Sequence, residues 1–243
     1  VEEMNEDEMR RLVLVNLARL VCAGEWNGLL DAGGGASTLA ELTDVLMDAT
    51  DFTDGLLIQT NSNGSAPTTG TLDNADESIG IGKDCLKAIE SADYCTVMGG
   101  RAGEAITTGN YNTAFGRASL MQVSSQAGNT GCGFFAGGGI QNGAHNTALG
   151  YSSLGTNTNG AQCTAVGANA LGASTGDNNI AIGYNAGDSI SSGDNNVVIG
   201  AVDVASATAD DQLVISSGDG GMFWIKGDSA GACYQGDNAT AWS

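Results

Sequence analysis

The feature that most constrains this chain is a short motif that returns at a fixed interval. A three-residue apolar or Thr-led stretch followed by glycine occurs eight times between residues 78 and 200, for example as NTALG, CTAVG and NIAIG. The closing glycines are seventeen residues apart in six of the seven intervals and sixteen apart in the other. So many registered copies indicate a repeat array rather than a conventional globular core. The closing glycines are Gly82, Gly99, Gly116, Gly133, Gly150, Gly167, Gly183 and Gly200.

Each unit places a small residue between two larger ones, as Ala148 stands between Thr147 and Leu149. This alternation predicts a short strand with one face of larger side chains and one face that permits close approach. One unit cannot bury its apolar face alone, whereas stacked units can. We therefore expect each strand to pair with its equivalent in the next coil at a spacing of about 4.8 Å, so that seven steps span about 34 Å.

Asparagine recurs in one register of the unit, four residues before the closing glycine. Equivalent positions of a stacked repeat lie above one another, and we expect these side chains to stack as an amide ladder. The asparagine content is then explained without catalysis. The ladder residues are Asn112, Asn129, Asn146, Asn179 and Asn196.

Composition agrees with a repeat fold and excludes several classes of partner. Only 5% of the residues are aromatic and 38 of 243 are glycine, which argues against an ordinary core. Eight Lys and Arg against 28 Asp and Glu give a net charge of −20, which would repel nucleic acid. No apolar run reaches the roughly 18 to 20 residues that span a bilayer, and the acidic first eight residues do not resemble a secretory signal. We expect no nucleic-acid partner and no membrane insertion.

The unit N-T-A-Φ-G, followed after two residues by Ala or Ser and then Leu or Gly, is similar to the head repeats of trimeric autotransporter adhesins, the YadA-like β-roll. It also resembles longer versions of that repeat in bacteriophage tail-fibre proteins, and the seventeen-residue period fits the phage form better. The resemblance implies a mainly β chain that forms a left-handed parallel β-roll or β-helix. It further implies a homotrimer of parallel chains whose inner strands pack about a shared axis.

The flanks divide the chain into four expected regions. Residues 1–35 comprise a helix over 1–23, with acidic residues first and arginines later as suits the helix dipole, and a Gly-rich hinge. This helix either trimerises or docks a partner, or else packs on its own chain. Residues 36–77 hold an L-x-x-L-x-D-V pattern, similar to a small module of phage tail fibres, and a polar connector; residues 78–200 are the repeat array. Residues 201–243 form a linker and a C-terminal β cap in which QLVI and MFWIK are strands.

The last residue, Ser243, matches the position where an endosialidase-type intramolecular chaperone is released from phage fibres by self-cleavage. The resemblance implies that, in a precursor, the Ser243 hydroxyl attacked on the carbonyl side of Ser243 itself, so that the peptide bond after Ser243 was cleaved and the chaperone was released. A lysine that left with the chaperone would have assisted this attack. The alternative is an ordinary stop codon or an artificial end of the chain.

Four of the six cysteines occupy repeat registers of small or apolar residues, so we expect them to be buried rather than reactive. Pairing between chains or metal chemistry is the alternative. They are Cys85, Cys95, Cys132 and Cys163.

Two further features suggest a metal, and both have a simpler explanation. His145 is the only histidine, and a three-fold axis could gather three copies into a metal site, but turns usually face outward. The GDNN turns at 176–179 and 193–196 resemble calcium loops, yet Asp and Asn are ordinary turn formers. We expect neither a metal nor a cofactor.

A glycan hydrolase would need two carboxylates about 5 to 10 Å apart in a groove. Between 78 and 200 the acidic residues stand at unmatched registers, although Glu90 and Glu104 could meet by stacking. We therefore expect no enzyme activity and no catalytic residue. The acidic residues are Asp84, Glu90, Asp93, Glu104, Asp177, Asp188 and Asp194.

The sequence together with this resemblance predicts a structural protein of a phage virion, a homotrimeric tail fibre or tail-associated subunit. Its N-terminal segment would attach to other tail proteins, its repeats would form a stiff spacer, and its distal end would meet the next component or a host receptor or glycan. A bacterial trimeric adhesin head is the first alternative, and a glycan-degrading tailspike is the second.

Overall fold

The computed structural model describes residues 45–49, 52–58, 75–217 and 222–235. The helix expected over 1–23, the hinge that follows it and Ser243 lie outside these ranges. The described residues form strands and turns without any helix. The strands are β1 (Val45–Ala49), β2 (Phe52–Ile58), β3 (Ile79–Ile81), β4 (Thr96–Met98), β5 (Thr113–Phe115), β6 (Thr130–Cys132), β7 (Thr147–Leu149), β8 (Thr164–Val166), β9 (Ile180–Ile182), β10 (Val197–Ile199), β11 (Leu213–Ser216), β12 (Phe223–Gly227) and β13 (Cys233–Gln235).

The strands form one sheet in which each strand pairs with the next along the chain. Strands β2 to β11 are parallel and in constant register, so that Thr113 pairs with Thr130 and Thr130 with Thr147. Parallel pairing of consecutive strands needs a return path, and here the remaining residues of each unit supply it as turns. The result is a parallel β-solenoid of about eight turns, as the repeat predicted.

The core of each coil is narrow, and its two sides contribute side chains of different size. The middle residue of every strand from β3 to β10 points inward and is buried, and it is Gly, Ala or Val. Larger side chains enter from the opposite side, where Leu120 and Val123 are both 0% exposed. Small residues are therefore required on the strand side because the turn side fills the interior.

The closing glycine of each unit cannot carry a side chain for two reasons. At Gly116 the backbone has φ +123°, a conformation that other residues rarely adopt. An added Cβ would also stand 2.7 Å from the carbonyl carbon of Gly133 in the next coil. All eight closing glycines have positive φ values between 109° and 139°, so the spacing of glycine that reveals the repeat has a steric origin.

Leucine and glycine share one buried position, four residues after the closing glycine. The backbone there is left-handed, with φ +48° at Leu120 and +61° at Gly137. This conformation favours glycine, while burial favours leucine. The two choices are complementary between coils, because a Cβ on Gly137 would lie 2.7 Å from Cδ2 of Leu120. The leucine of one coil thus occupies the space that the glycine of the next leaves.

The solenoid extends beyond the array at both ends. Residues 201–211, interpreted as a linker, form part of a further coil in which the Ser191 N–H bonds the Ala207 carbonyl. Strand β11 pairs in parallel with β10, so QLVI continues the stack instead of beginning the cap. The antiparallel strands β12 and β13 then end the sheet. At the other end β2 pairs in parallel with β3, which the sequence did not indicate. No described helix is long and apolar enough to cross a membrane.

Candidate interaction surface

The strands present one continuous outer surface, which we call the strand face: the first and third residues of β3 to β10. Because side chains alternate along a strand, these residues point away from the core that receives the middle residue. The face is two side chains wide and, at about 4.8 Å per coil, about 34 Å long. Its residues are Ile79, Ile81, Thr96, Met98, Thr113, Phe115, Thr130, Cys132, Thr147, Leu149, Thr164, Val166, Ile180, Ile182, Val197 and Ile199.

Large apolar side chains of the strand face remain open to solvent in the single chain. Met98 is 44% exposed, Leu149 is 46% exposed and Ile182 is 42% exposed. The sequence suggested that stacking would bury the apolar face of each unit, and for these residues that expectation is wrong. Stacking covers them only from above and below, because the coil interior accepts the small middle residue instead.

The strand face carries no charged residue, although the chain as a whole has a net charge of −20. Charges at an exposed sheet cost little and normally keep copies apart. Their exclusion from this face, together with its apolar rows, is typical of a surface that another protein surface covers.

The five ladder asparagines form a column of buried side chains along the solenoid. Oδ1 of Asn129 accepts the backbone N–H of Asn146 at 3.0 Å, and its Nδ2 donates to the carbonyl of Gly143 at 3.2 Å. The amides therefore bond mainly to backbone groups, and a direct amide contact joins Asn196 to Asn179 at 3.1 Å. The column tethers each turn to the next one.

The column contains residues other than asparagine. Ser78 and Cys95 stand at the start of the column, and Cys163 replaces asparagine within it. Gln212 follows Asn196 as the ninth residue of the column. The backbone N–H of Gln212 donates to Oδ1 of Asn196 at 2.9 Å. The sequence signal for Gln212 was its place sixteen residues after Asn196 and directly before an apolar strand.

The aspartates of the GDNN turns make a second, outer column. Oδ1 of Asp194 accepts the backbone N–H of Asp177 at 2.7 Å, and Oδ1 of Asp210 accepts that of Asp194 at 2.8 Å. Each carboxylate thus accepts a hydrogen bond from a backbone N–H group in a turn of the neighbouring coil. Within the described ranges no group of three or more His, Cys, Asp or Glu residues could hold a metal ion. His145 is exposed at the surface of its turn.

The four repeat cysteines divide into a buried set and one exposed member. Burial raises the pKa of Cys85 to about 12 and the pKa values of Cys95 and Cys163 to about 11. A high pKa leaves little thiolate at neutral pH and so makes these thiols unreactive. Cys132 lies exposed on the strand face, and the expectation that it is buried is wrong for the single chain.

Glu90 and Glu104, which stacking could have brought together, lie in different columns of the solenoid. Glu104 contacts Arg101 at 2.7 Å, and Lys87 lies 3.5 Å from Asp84. The backbone N–H of Glu90 bonds the Thr107 carbonyl. That bond places Glu90 in a different column from Glu104, whose own carbonyl accepts from Ala88.

One carboxyl pair lies where the eighth coil meets the next. Desolvation by burial raises the pKa of Asp188, and the charge of Asp203 and a hydrogen bond to its carboxyl raise it further. Oδ1 of Asp203 also accepts the backbone N–H of Ser189 at 3.0 Å. Two carboxyls in direct contact are closer than the pairs that hydrolyse glycosides, about 5 to 10 Å apart.

Exposed rings form a feature that the strand motif alone does not predict. The aromatic column consists of the residues that directly follow the closing glycines from Arg117 to Tyr184. The Phe134 and Tyr151 rings stack with centroids 5.4 Å apart, and the Arg117 guanidinium lies 5.5 Å from the Phe134 centroid. A second stack joins Tyr94 and Tyr111 at 5.1 Å. Alignment of the repeats by this position would have shown it.

Comparison of the chain with protein-family models, with curated proteins and with solved structures found no match.

Proposed function

We propose that this chain is a structural subunit of a phage virion, a homotrimeric tail fibre or tail-associated protein. It serves as a stiff spacer and as an element of host attachment. The observation that carries the assembly is the strand face, a long, uncharged and apolar surface on an acidic chain. Three parallel chains would bury their strand faces against one another, and the resemblance of the repeat to trimeric heads and tail fibres supports three copies rather than two.

The geometry suits a spacer. Each coil bonds to the next through backbone pairs, the asparagine column and the aspartate column, so the load along the solenoid is shared by many parallel hydrogen bonds. In the proposed trimer the N-terminal segment attaches to other tail proteins and the distal end meets a host receptor or glycan. The acidic outer surfaces would then keep neighbouring fibres apart.

The mass of the full chain in solution tests the assembly. We expect three times the chain mass of 24.3 kDa by light scattering. Leu149→Lys on the strand face should release monomers, because a buried charge without a partner is costly in an interface. Thr108→Lys, at an exposed turn position, makes the same change off the face and should leave the trimer intact. A stable wild-type monomer would refute the parallel packing.

A bacterial trimeric adhesin head would share the strand face and is the alternative. The two differ in what the same reading frame encodes, since an adhesin needs a membrane-anchor barrel downstream and a secretory signal upstream. A glycan-degrading tailspike is the remaining alternative, and turnover of purified host polysaccharide would support it. The direct contact of Asp188 and Asp203 favours a structural role for that carboxyl pair.

A further inference from the structure

The aromatic column has one missing ring. From Arg117 the column continues through the stacked rings of Phe134 and Tyr151, reaches Ala168, and then returns to an aromatic residue at Tyr184. The backbone keeps the coils of Tyr151, Ala168 and Tyr184 in this order, because the Asn169 N–H donates to the Tyr151 carbonyl and the Asn185 N–H donates to the Ala168 carbonyl. The space beside Ala168 is therefore flanked by two tyrosines of one column.

The width of this space follows from the coil repeat. Neighbouring rings stack 5.1 Å apart for Tyr94 and Tyr111 and 5.4 Å apart for Phe134 and Tyr151. Two coil steps of about 4.8 Å therefore separate Tyr151 from Tyr184 by about 10 Å. One ring placed midway would lie about 5 Å from each tyrosine, which is within the usual stacking range of about 4.5 to 7 Å. Both tyrosines are open to solvent, at 58% and 62% exposure.

Polar groups stand next to this space in the chain. Asn169 directly follows Ala168, and Asn185 directly follows Tyr184. Nδ2 of Asn169 donates to Oδ1 of Asn185 at 3.0 Å. Among the residues that the structure describes, Oδ1 of Asn169 and Nδ2 of Asn185 have no other hydrogen-bond partner. Oδ1 of Asn169 and Nδ2 of Asn185 thus offer an acceptor and a donor, a combination that neighbouring hydroxyl groups of a sugar can satisfy.

We propose that Tyr151 and Tyr184 bind a pyranose ring of a neutral polysaccharide between them. Aromatic rings that pack against the apolar C–H face of a ligand ring, combined with a few polar groups that orient the ligand, are typical of small-molecule sites. The net charge of −20 disfavours anionic glycans, so the sugar is neutral. This inference deepens the host-attachment part of the proposed function and rests on it, but a trimer that binds no glycan would refute only the site.

Affinity electrophoresis of the full-length protein tests the site, with dextran, galactomannan, glucomannan and xyloglucan each cast into native gels. We expect at least one of these polysaccharides to retard the wild-type protein. Tyr184→Ala removes one wall and Ala168→Tyr fills the space, so both should weaken binding at least tenfold. Tyr94→Ala, which alters the other ring stack, should leave retardation unchanged.

Three results would overturn the proposal. One is the absence of retardation by all four polysaccharides, and another is equal retardation of the wild type and both slot variants. The third is a change of assembly mass in Tyr184→Ala, because the ring would then cover a neighbouring protomer. The Ala168→Tyr variant separates loss of binding from loss of folding. Its added ring should stack on Tyr151 and so preserve the melting temperature, while it occupies the space that the sugar would take.

Discussion

The backbone N–H of Asn129 donates a hydrogen bond to the side-chain oxygen of Asn112 at 2.9 Å, across the boundary between two coils. Both side chains are buried, so each amide provides the hydrogen-bond partners that water would otherwise provide to the buried backbone groups of the solenoid. The asparagine column is therefore an internal set of hydrogen bonds that joins successive turns.

Asn129→Ala should destabilise the protein strongly. It leaves the N–H of Asn146 and the carbonyl of Gly143 without partners in the core. At about 1 to 3 kcal/mol for each of these two buried unpaired groups, we expect a loss of about 2 to 6 kcal/mol in the free energy of unfolding, measured by denaturant titration.

Asn129→Ser is the matched control, because serine already occupies this column. Oγ of Ser78 accepts the N–H of Cys95 at 3.1 Å and donates to the carbonyl of Ala92 at 3.0 Å. The serine variant should therefore lose about half as much stability as the alanine variant. Equal losses would contradict the role of the hydrogen bonds and indicate that volume alone matters.

Gly116→Ala should cost about 3 kcal/mol or more, because it combines an unfavourable φ with a clash against the next coil. Gly100→Ala is the control, since the nearest atom to an added Cβ there is the Lys83 oxygen at 3.8 Å. We expect less than about 1 kcal/mol for the control. Similar unfolding midpoints for the two variants would contradict the steric origin of the closing glycine.

Cys132 reports whether the strand face is covered. In the proposed trimer, iodoacetamide should modify Cys132 slowly in the wild type and rapidly in monomeric Leu149→Lys, as followed by peptide mass spectrometry. Cys85 and Cys163 should stay unmodified in both proteins until unfolding, since burial raises their pKa values to about 12 and about 11. Equal rates at Cys132 in both proteins would show that the strand face is open.

Asp188→Asn should stabilise the protein at neutral pH. The pKa of Asp188 is raised in the fold above 3.8, so its stabilising contribution is present below that value and is lost as pH rises through the folded pKa. Asparagine keeps the hydrogen bond to Asp203 without the charge. The gain in melting temperature over wild type should shrink as pH falls from about 7 toward the raised pKa. A variant less stable than wild type at neutral pH would contradict this reading.

Periodicity made the eight strands predictable, because equal spacing of a sterically required glycine leaves little choice of register. The coil that follows Gly200 was not predictable from the glycine spacing, because Ser216 occupies the position of the closing glycine. Gln212 and the strand after it nevertheless occupy the positions of the column asparagine and of the repeat strand. Aligning on the whole motif instead of its glycine would have found it.

The orientation of the strands was less accessible to sequence reasoning. Alternation in NTALG shows that Leu149 and Ala148 face opposite ways, but it does not say which faces the core. Burial of the larger residue is the usual choice. Here Leu120, Val123 and their equivalents fill the interior from the turn side, so only a small strand residue fits. That competition for volume depends on the coil diameter, which no local pattern encodes.

The pairing of Leu120 with Gly137 sets a rule for how such a rod can lengthen or shorten in evolution. Deleting one inner coil from the stretch Leu86, Gly103, Leu120, Gly137 and Leu154 would bring two leucines or two glycines into succession and so break the alternation, whereas the coils of Leu154 and Leu171 already hold two buried leucines in succession. Deleting two coils, or duplicating two, restores the original sequence of large and small. Within this stretch the unit of inheritance that preserves the alternation is therefore a pair of coils, about twice the period by which the motif is recognised.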